Sequence, residues 1–161
     1  MRLRKLMWAV FLCSLAAVAC FNTSIMSRAQ NSSSSVIPRS DVMQPAELAK
    51  MLHVHDTYPP LLLQVGSHVF YAEAHIPGSV YAGAGSQPTG LKMLENMVSS
   101  SPKDKLIILY CGCCPWNRCP NVGPAYNKLH DLGFTNVKVL YIANNFGSDW
   151  VAKGYPIEKG E

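Results

Sequence analysis

The sequence predicts an α/β protein, a single domain built on an open parallel sheet with helices on both faces. Three observations predict it. Short apolar strand candidates alternate with amphipathic helix candidates from about residue 40 onward. The strongest strand candidate, "DKLIILYC", is uniformly apolar from Leu106 to Tyr110, as a central strand covered on both faces is. The chain of 161 residues is long enough to bury a real core, and its length suggests one domain.

The first nineteen residues read as a leader. "MRLRK" is a positive n-region, "LMWAVFLCSLAAVA" an apolar h-region of fourteen residues, and Ala17-Val18-Ala19 offers small residues at a cleavage site. A retained anchor helix is the competing reading, against which the h-region is short. Cys20 follows "LAAVA" in a loose likeness to a bacterial lipobox, which makes it a candidate lipid acceptor. A second candidate cut follows Ala29. Residues 20–39 form a Ser-rich flexible tether. The domain, 40–158, is therefore expected to be exported and periplasmic, lipid-anchored in one version, in a compartment where disulfides persist.

Charge supports this division. Removing Arg2, Arg4, Lys5 and Arg28 from the 14 basic residues leaves ten, against ten acidic ones, so residues 30–161 are neutral. The net charge of +4 belongs to residues 1–29 and gives no ground for a nucleic-acid partner.

Within the domain, "QPAELAKMLH" places Leu48, Met51 and Leu52 at helical spacing behind Pro45, a first-turn residue. "LLLQVG" and "SVYAG" read as short strands on either side of the turn "HIPG". "GLKMLENMVSS" aligns Leu91, Leu94, Met97 and Val98 on one helix face. After "DKLIILYC", the segment "NVGPAYNKLHDLG" reads as a helix ending at Gly133. "NVKVLYI" is a last strand and "GSDWVAKG" a short final helix.

Chemistry concentrates in "CGCCPWNRCP". Four of the six cysteines, Cys111, Cys113, Cys114 and Cys119, lie within nine residues. The loop leaves the end of the most buried strand and enters a helix, where ligands of open α/β sheets bind. Converging backbone N–H groups and the helix N-terminus after Asn121 would lower a thiol pKa there. His75 in "HIPG" fits packing at a turn better than catalysis. Asn121 and Asn117 fit helix capping, and Trp150 and Tyr155 fit closure of the core.

The order "ELAKML", "LLLQVG", "AHIPGSVYAG", "KDKLIILYC", cysteine loop to Arg118, "KLHDLGFTNVKVL", "DWVAKGYPI" resembles the rhodanese family of sulfurtransferases from about Val42 to Ile157. The resemblance implies a rhodanese-like fold and a thiosulfate or persulfide sulfurtransferase. A loop cysteine would carry sulfane sulfur as a persulfide from a donor such as thiosulfate or polysulfide to a thiol acceptor.

Family loops of the form Cys-x-x-x-x-Arg, counted back from Arg118, nominate Cys113. The family's habit of placing the nucleophile directly after the strand nominates Cys111. Cys114 is a third candidate. Arg118 would hold an anionic donor, and backbone N–H groups of Cys114–Arg118 would face the thiolate. Cys114, Pro115, Trp116 and Asn117 would line the substrate site, Trp116 as an apolar wall, and Cys119 is the candidate resolving thiol. The family's usual Asp-x-Arg after the second strand is replaced by Gln64-Val65-Gly66.

No cofactor and no metal is expected. Zinc sites draw two cysteine pairs from separate segments, whereas these four share one loop, and adjacent cysteines rarely face one ion. The alternative is a thiol-redox or soft-metal-binding member of the fold without sulfurtransferase turnover. Expected partners are a small sulfur-containing anion or a thiol acceptor, with a redox protein as a further candidate. No nucleic acid is expected, membrane contact comes only through a lipid anchor, and the chain should be a monomer.

Overall fold

The protein was analysed as a computed structural model that describes residues 37–53 and 58–160. The leader, Cys20 and the tether up to residue 36 lie outside the described residues. Among the described residues no helix is long and apolar enough to cross a membrane.

The strands are β1 (Val42–Met43), β2 (Leu61–Gln64), β3 (Val80–Tyr81), β4 (Ile107–Tyr110) and β5 (Val137–Leu140), and the helices are α1 (Pro45–Leu52), α2 (His68–Glu73), α3 (Pro88–Val98), α4 (Val122–Asp131) and α5 (Phe146–Asp149). All strand pairs are parallel, in the order β1-β5-β4-β2-β3. This bears out the α/β reading, and β4 is the central strand, buried along its whole length.

Alternation along β4 divides the core in two. Ile107 and Leu109 face one cluster, with Leu94 and Val98 of α3 and Val122, Ala125 and Leu129 of α4. Ile108 and Tyr110 face the other, with Leu48 and Ala49 of α1, Phe146 of α5 and Trp150 directly after it. Successive strand side chains point to opposite faces, so Cys111, the next residue, falls on the α4 side, where it is 4% exposed. The parity of the strand thus aims the first loop cysteine at the start of α4.

Three differences from the sequence reading have local causes. "GSDWVAKG" is not one helix: α5 ends at Trp150 (φ −122°, ψ −63°), and a separate 3-10 turn covers Val151–Lys153. The strand in "SVYAG" is only two residues long, and Gly83 beyond it takes φ +87°. The helix α2 was not anticipated because it buries a single residue, Tyr71, and so carries no apolar stripe. Trp150 and Tyr155 do close the core, the indole N–H donating to Pro156 O at 2.8 Å.

A thiol cluster at the carboxyl end of the central strand

The cysteine loop sits at the carboxyl end of β4 and is held on three sides. Gly112 takes φ +74°, and a Cβ there would lie 2.6 Å from Phe146 Cβ, so only glycine fits. The Gly112 carbonyl accepts the Phe146 N–H at 2.9 Å, tying the loop to α5. Gln64, buried at the end of β2, donates from Nε2 to Cys111 O at 3.2 Å and accepts the Gly66 N–H on Oε1 at 3.1 Å. On the far side, the Trp116 N–H donates to Ala143 O at 3.1 Å and the indole packs on Tyr141 at 5.2 Å.

The "HIPGS" turn meets β4 from the other face. Tyr110 Oη lies 2.7 Å from Ser79 Oγ and accepts the Ile76 N–H at 3.2 Å. His75 is buried, stacked on Tyr71 at 4.0 Å with Nδ1 at 2.9 Å from Tyr71 O, as its reading as a packed turn residue requires.

Four thiols converge. Cys111 Sγ lies 3.0 Å from Cys113 Sγ, and Cys113 Sγ lies 3.3 Å from Cys114 Sγ. The Sγ atoms of Cys111, Cys114 and Cys119 are all within 4.8 Å of one another. All four cysteines are free. Asn121 joins them: its Nδ2 is 3.4 Å from Cys111 Sγ and 3.7 Å from Cys113 Sγ, while its Oδ1 accepts the Ser86 N–H at 3.0 Å.

These contacts sort the protons. The Cys119 thiol pKa is lowered to about 6, first by the hydrogen bond it receives from Cys111. The backbone N–H groups of Asn121 and Val122 at the start of α4 add to this, and burial opposes it. Cys111 is pushed far up by the same pairing and by burial, so it keeps its proton. Cys114 is raised to about 12, mainly by burial. Of these three thiols, Cys119 is the one that gives up its proton most readily.

The sequence-predicted residues divide. Cys111, Cys113, Cys114 and Cys119 are brought together. Of the four only Cys113 lines the groove beside the loop, a cavity of about 540 Å³ walled by Phe70, Phe146, Val151 and Ile157, with Glu73 and Lys159 as its charged residues. Pro115, Trp116, Asn117 and Arg118 do not line it. Arg118 and Asn117 are exposed, and the Arg118 side chain has no ion-pair or hydrogen-bond partner among the described residues.

Of the five residues expected to cradle the thiolate with their N–H groups, three do not offer one to the sulfurs. Pro115 has no N–H, Trp116 donates to Ala143, and Arg118 N donates to Pro115 O at 2.8 Å. Sequence reasoning also undervalued Asn121, which stands at the N-cap position of α4 yet makes no side-chain cap, because its amide is spent on Ser86 and the thiols. Gln64 was noted as a substitution but not as a clamp. Its amide in a strand otherwise formed of leucines was the available signal.

A rhodanese-like domain model matches residues 44–141, from the residue before α1 to the residue after β5. The chain belongs to the rhodanese-like domain family. The fold is shared with the BH2092 protein from Bacillus halodurans (24% identity, TM-score 0.58, 74% of this chain and 77% of that one). It is shared too with the Alr3790 protein from Anabaena sp. (23% identity, TM-score 0.56, 73% and 92%). A single-domain sulfurtransferase of Saccharomyces cerevisiae, RDL2, aligns at 18% identity with TM-score 0.52, over 71% of this chain and 90% of that one. Comparison with curated protein sequences gave no match. In this rhodanese-like domain, the loop after the central strand is a four-thiol cluster.

Proposed function

We propose that the domain is a sulfane-sulfur carrier that holds the sulfur as a persulfide on Cys113. One observation carries the reading. Cys113 is the cluster thiol that opens on the groove, and its sulfur lies 3.0 Å from that of Cys111. Cys113, open to an incoming donor on that groove, is the nucleophile once ionised. Cys113–S⁻ attacks the terminal sulfur of a donor R–S–SH. A new S–S bond forms, the donor S–S bond breaks, and R–S⁻ leaves. An acceptor thiolate then attacks the outer sulfur of Cys113–S–SH, takes it as its own persulfide and restores Cys113–S⁻.

The groove favours the donor class. Its walls are mainly apolar, with Glu73 and Lys159 offsetting each other in charge, and Arg118 stands outside them, so an uncharged organic persulfide fits better than the thiosulfate dianion. With its leader, the chain would act outside the cytoplasm.

A second reading rests on the same 3.0 Å separation. Cys111, giving its proton to Cys119 as it attacks the inner sulfur of Cys113–S–SH, would form a Cys111–Cys113 disulfide and expel HS⁻, making the loop a thiol-redox device. The shift needed is about 1 Å, since a disulfide spans roughly 2.05 Å.

Intact mass after exposure to polysulfide tests both. An adduct of one sulfur atom, lost in Cys113→Ser and kept in Cys119→Ser, is expected. If Cys111→Ser alone abolishes loading, Cys113 is not the carrier. Prompt hydrosulfide release with a Cys111–Cys113 disulfide selects the redox reading.

A further inference from the structure

We propose that Cys111, Cys114 and Cys119 form a site for one thiophilic d10 cation, Cu(I), held by three thiolates, with Cys113 left on the groove side. This goes beyond the sulfur-carrier reading and does not rest on it. The three sulfurs lie within 4.8 Å of one another. A cation bonded to thiolate sulfur at about 2.3 Å requires its sulfurs roughly 4 Å apart in a trigonal plane. Closure is therefore a matter of about 1 Å, within the range of side-chain adjustment.

The ligand set decides the ion class. Three sulfurs with no carboxylate or imidazole among them select a soft cation over a hard one. Structural zinc sites close with four ligands, and this trio supplies three. Of the adjacent pair, Cys114 belongs to the trio, while Cys113, whose Sγ lies 3.0 Å from Cys111 Sγ and 3.3 Å from Cys114 Sγ, lines the groove and stays a free thiol beside the ion. The trio is also assembled by the fold, from the end of β4, the loop and the approach to α4.

An outer shell is in place. Asn121 Nδ2 lies 3.4 Å from Cys111 Sγ and is fixed through Oδ1 by the Ser86 N–H at 3.0 Å. The N–H groups of Asn121 and Val122 point at Cys119. Donors of this kind orient and stabilise thiolate ligands. They and the start of α4, a ten-residue helix, face the negative charge that three thiolates leave on a monovalent ion. Binding is proton exchange without redox: three Cu–S bonds form, the thiol protons go to solvent and copper stays Cu(I). A loaded trio would also take Cys111 out of reach of disulfide formation with Cys113.

The test is an anaerobic titration of the reduced protein with Cu(I) buffered by bathocuproine disulfonate, read by chelator competition and by thiolate-to-copper absorption in the ultraviolet. One Cu(I) per chain is expected, retained in Cys113→Ser. Cys114→Ser and Cys119→Ser should each weaken binding by more than about 100-fold, beyond the roughly 10- to 100-fold of an outer-shell change. Asn121→Ala should fall within that smaller range. Cys114 and Cys119 are half-buried, so these variants keep the test sound even where the buried Cys111→Ser fails to fold. Circular dichroism of each variant checks this. A loss in Cys113→Ser equal to that in Cys114→Ser overturns the site. So does uptake of several copper ions per chain, or tighter binding of Zn²⁺ than of Cu(I). Because Cys113→Ser should abolish sulfur loading and spare copper, the two proposals fail separately.

Discussion

Replacing Cys111 by alanine removes the largest single cause of the low Cys119 pKa and leaves the helix-terminal N–H donors untouched. A hydrogen bond to a charged group contributes about 1.5–3 kcal/mol, and one pKa unit corresponds to about 1.36 kcal/mol. Loss of the Cys111 donor should therefore raise the Cys119 midpoint by about one to two units. Sulfur is a weak donor, which favours the lower end, a midpoint near 7 in place of about 6. The sign is that of an acid. Below its midpoint Cys119 is an unreactive thiol, and reactivity rises as pH passes through it.

At pH 6 the thiolate fraction should fall from about half to about a tenth. The more basic sulfur recovers roughly a factor of three in intrinsic nucleophilicity, given a Brønsted slope near 0.4–0.5. Rates at one pH thus change by only about twofold, and the midpoint is the quantity to measure. Iodoacetamide labelling of the reduced protein over a pH series, with mass mapping of Cys119, provides it. Cys111→Ser keeps an O–H donor and should stay close to wild type. An unmoved midpoint in Cys111→Ala would transfer the effect to the N–H groups of Asn121 and Val122. A wild-type midpoint in the ordinary thiol range would refute the proton arrangement altogether.

Gly66→Ala places a Cβ 2.8 Å from Cys111 Sγ and 3.2 Å from Cys111 O, so it should cost about 1–3 kcal/mol in denaturant unfolding and disturb the thiol titration. Arg118→Ala should leave stability within about 0.5 kcal/mol. Its loading from thiosulfate should change by less than the roughly tenfold that a lost charge-assisted bond gives, and a larger fall would show that the guanidinium reaches the donor. Protein recovered from its native host should begin at Cys20, lipid-modified or free, or at Gln30. Recovery of soluble cytoplasmic protein still carrying Met1 would remove the basis for an exported role.

The order of strands and helices was legible because each main element carries its own periodicity, and the uniform run of β4 announced its central place. What escaped was structure made by neighbours. β1 is two residues long and exists through its pairing with β5. The turn "HIPGS" was readable as a turn, but its anchor, the Tyr110 hydroxyl, lies 31 residues beyond Ser79.

The loop shows the limit most clearly. Counting from Arg118 treats the loop as a ring closed by a cation, yet two features that counting ignores set its geometry. The alternation of β4 sends Cys111 toward α4. Gly112, at φ +74° and pressed against Phe146, then redirects the chain, so that Cys113 meets the groove while Cys114 joins Cys111 and Cys119. A side chain at position 112 would drive the loop off α5 and break both arrangements. The opening of one thiol of the cluster onto the groove therefore depends on a residue that carries no chemistry of its own.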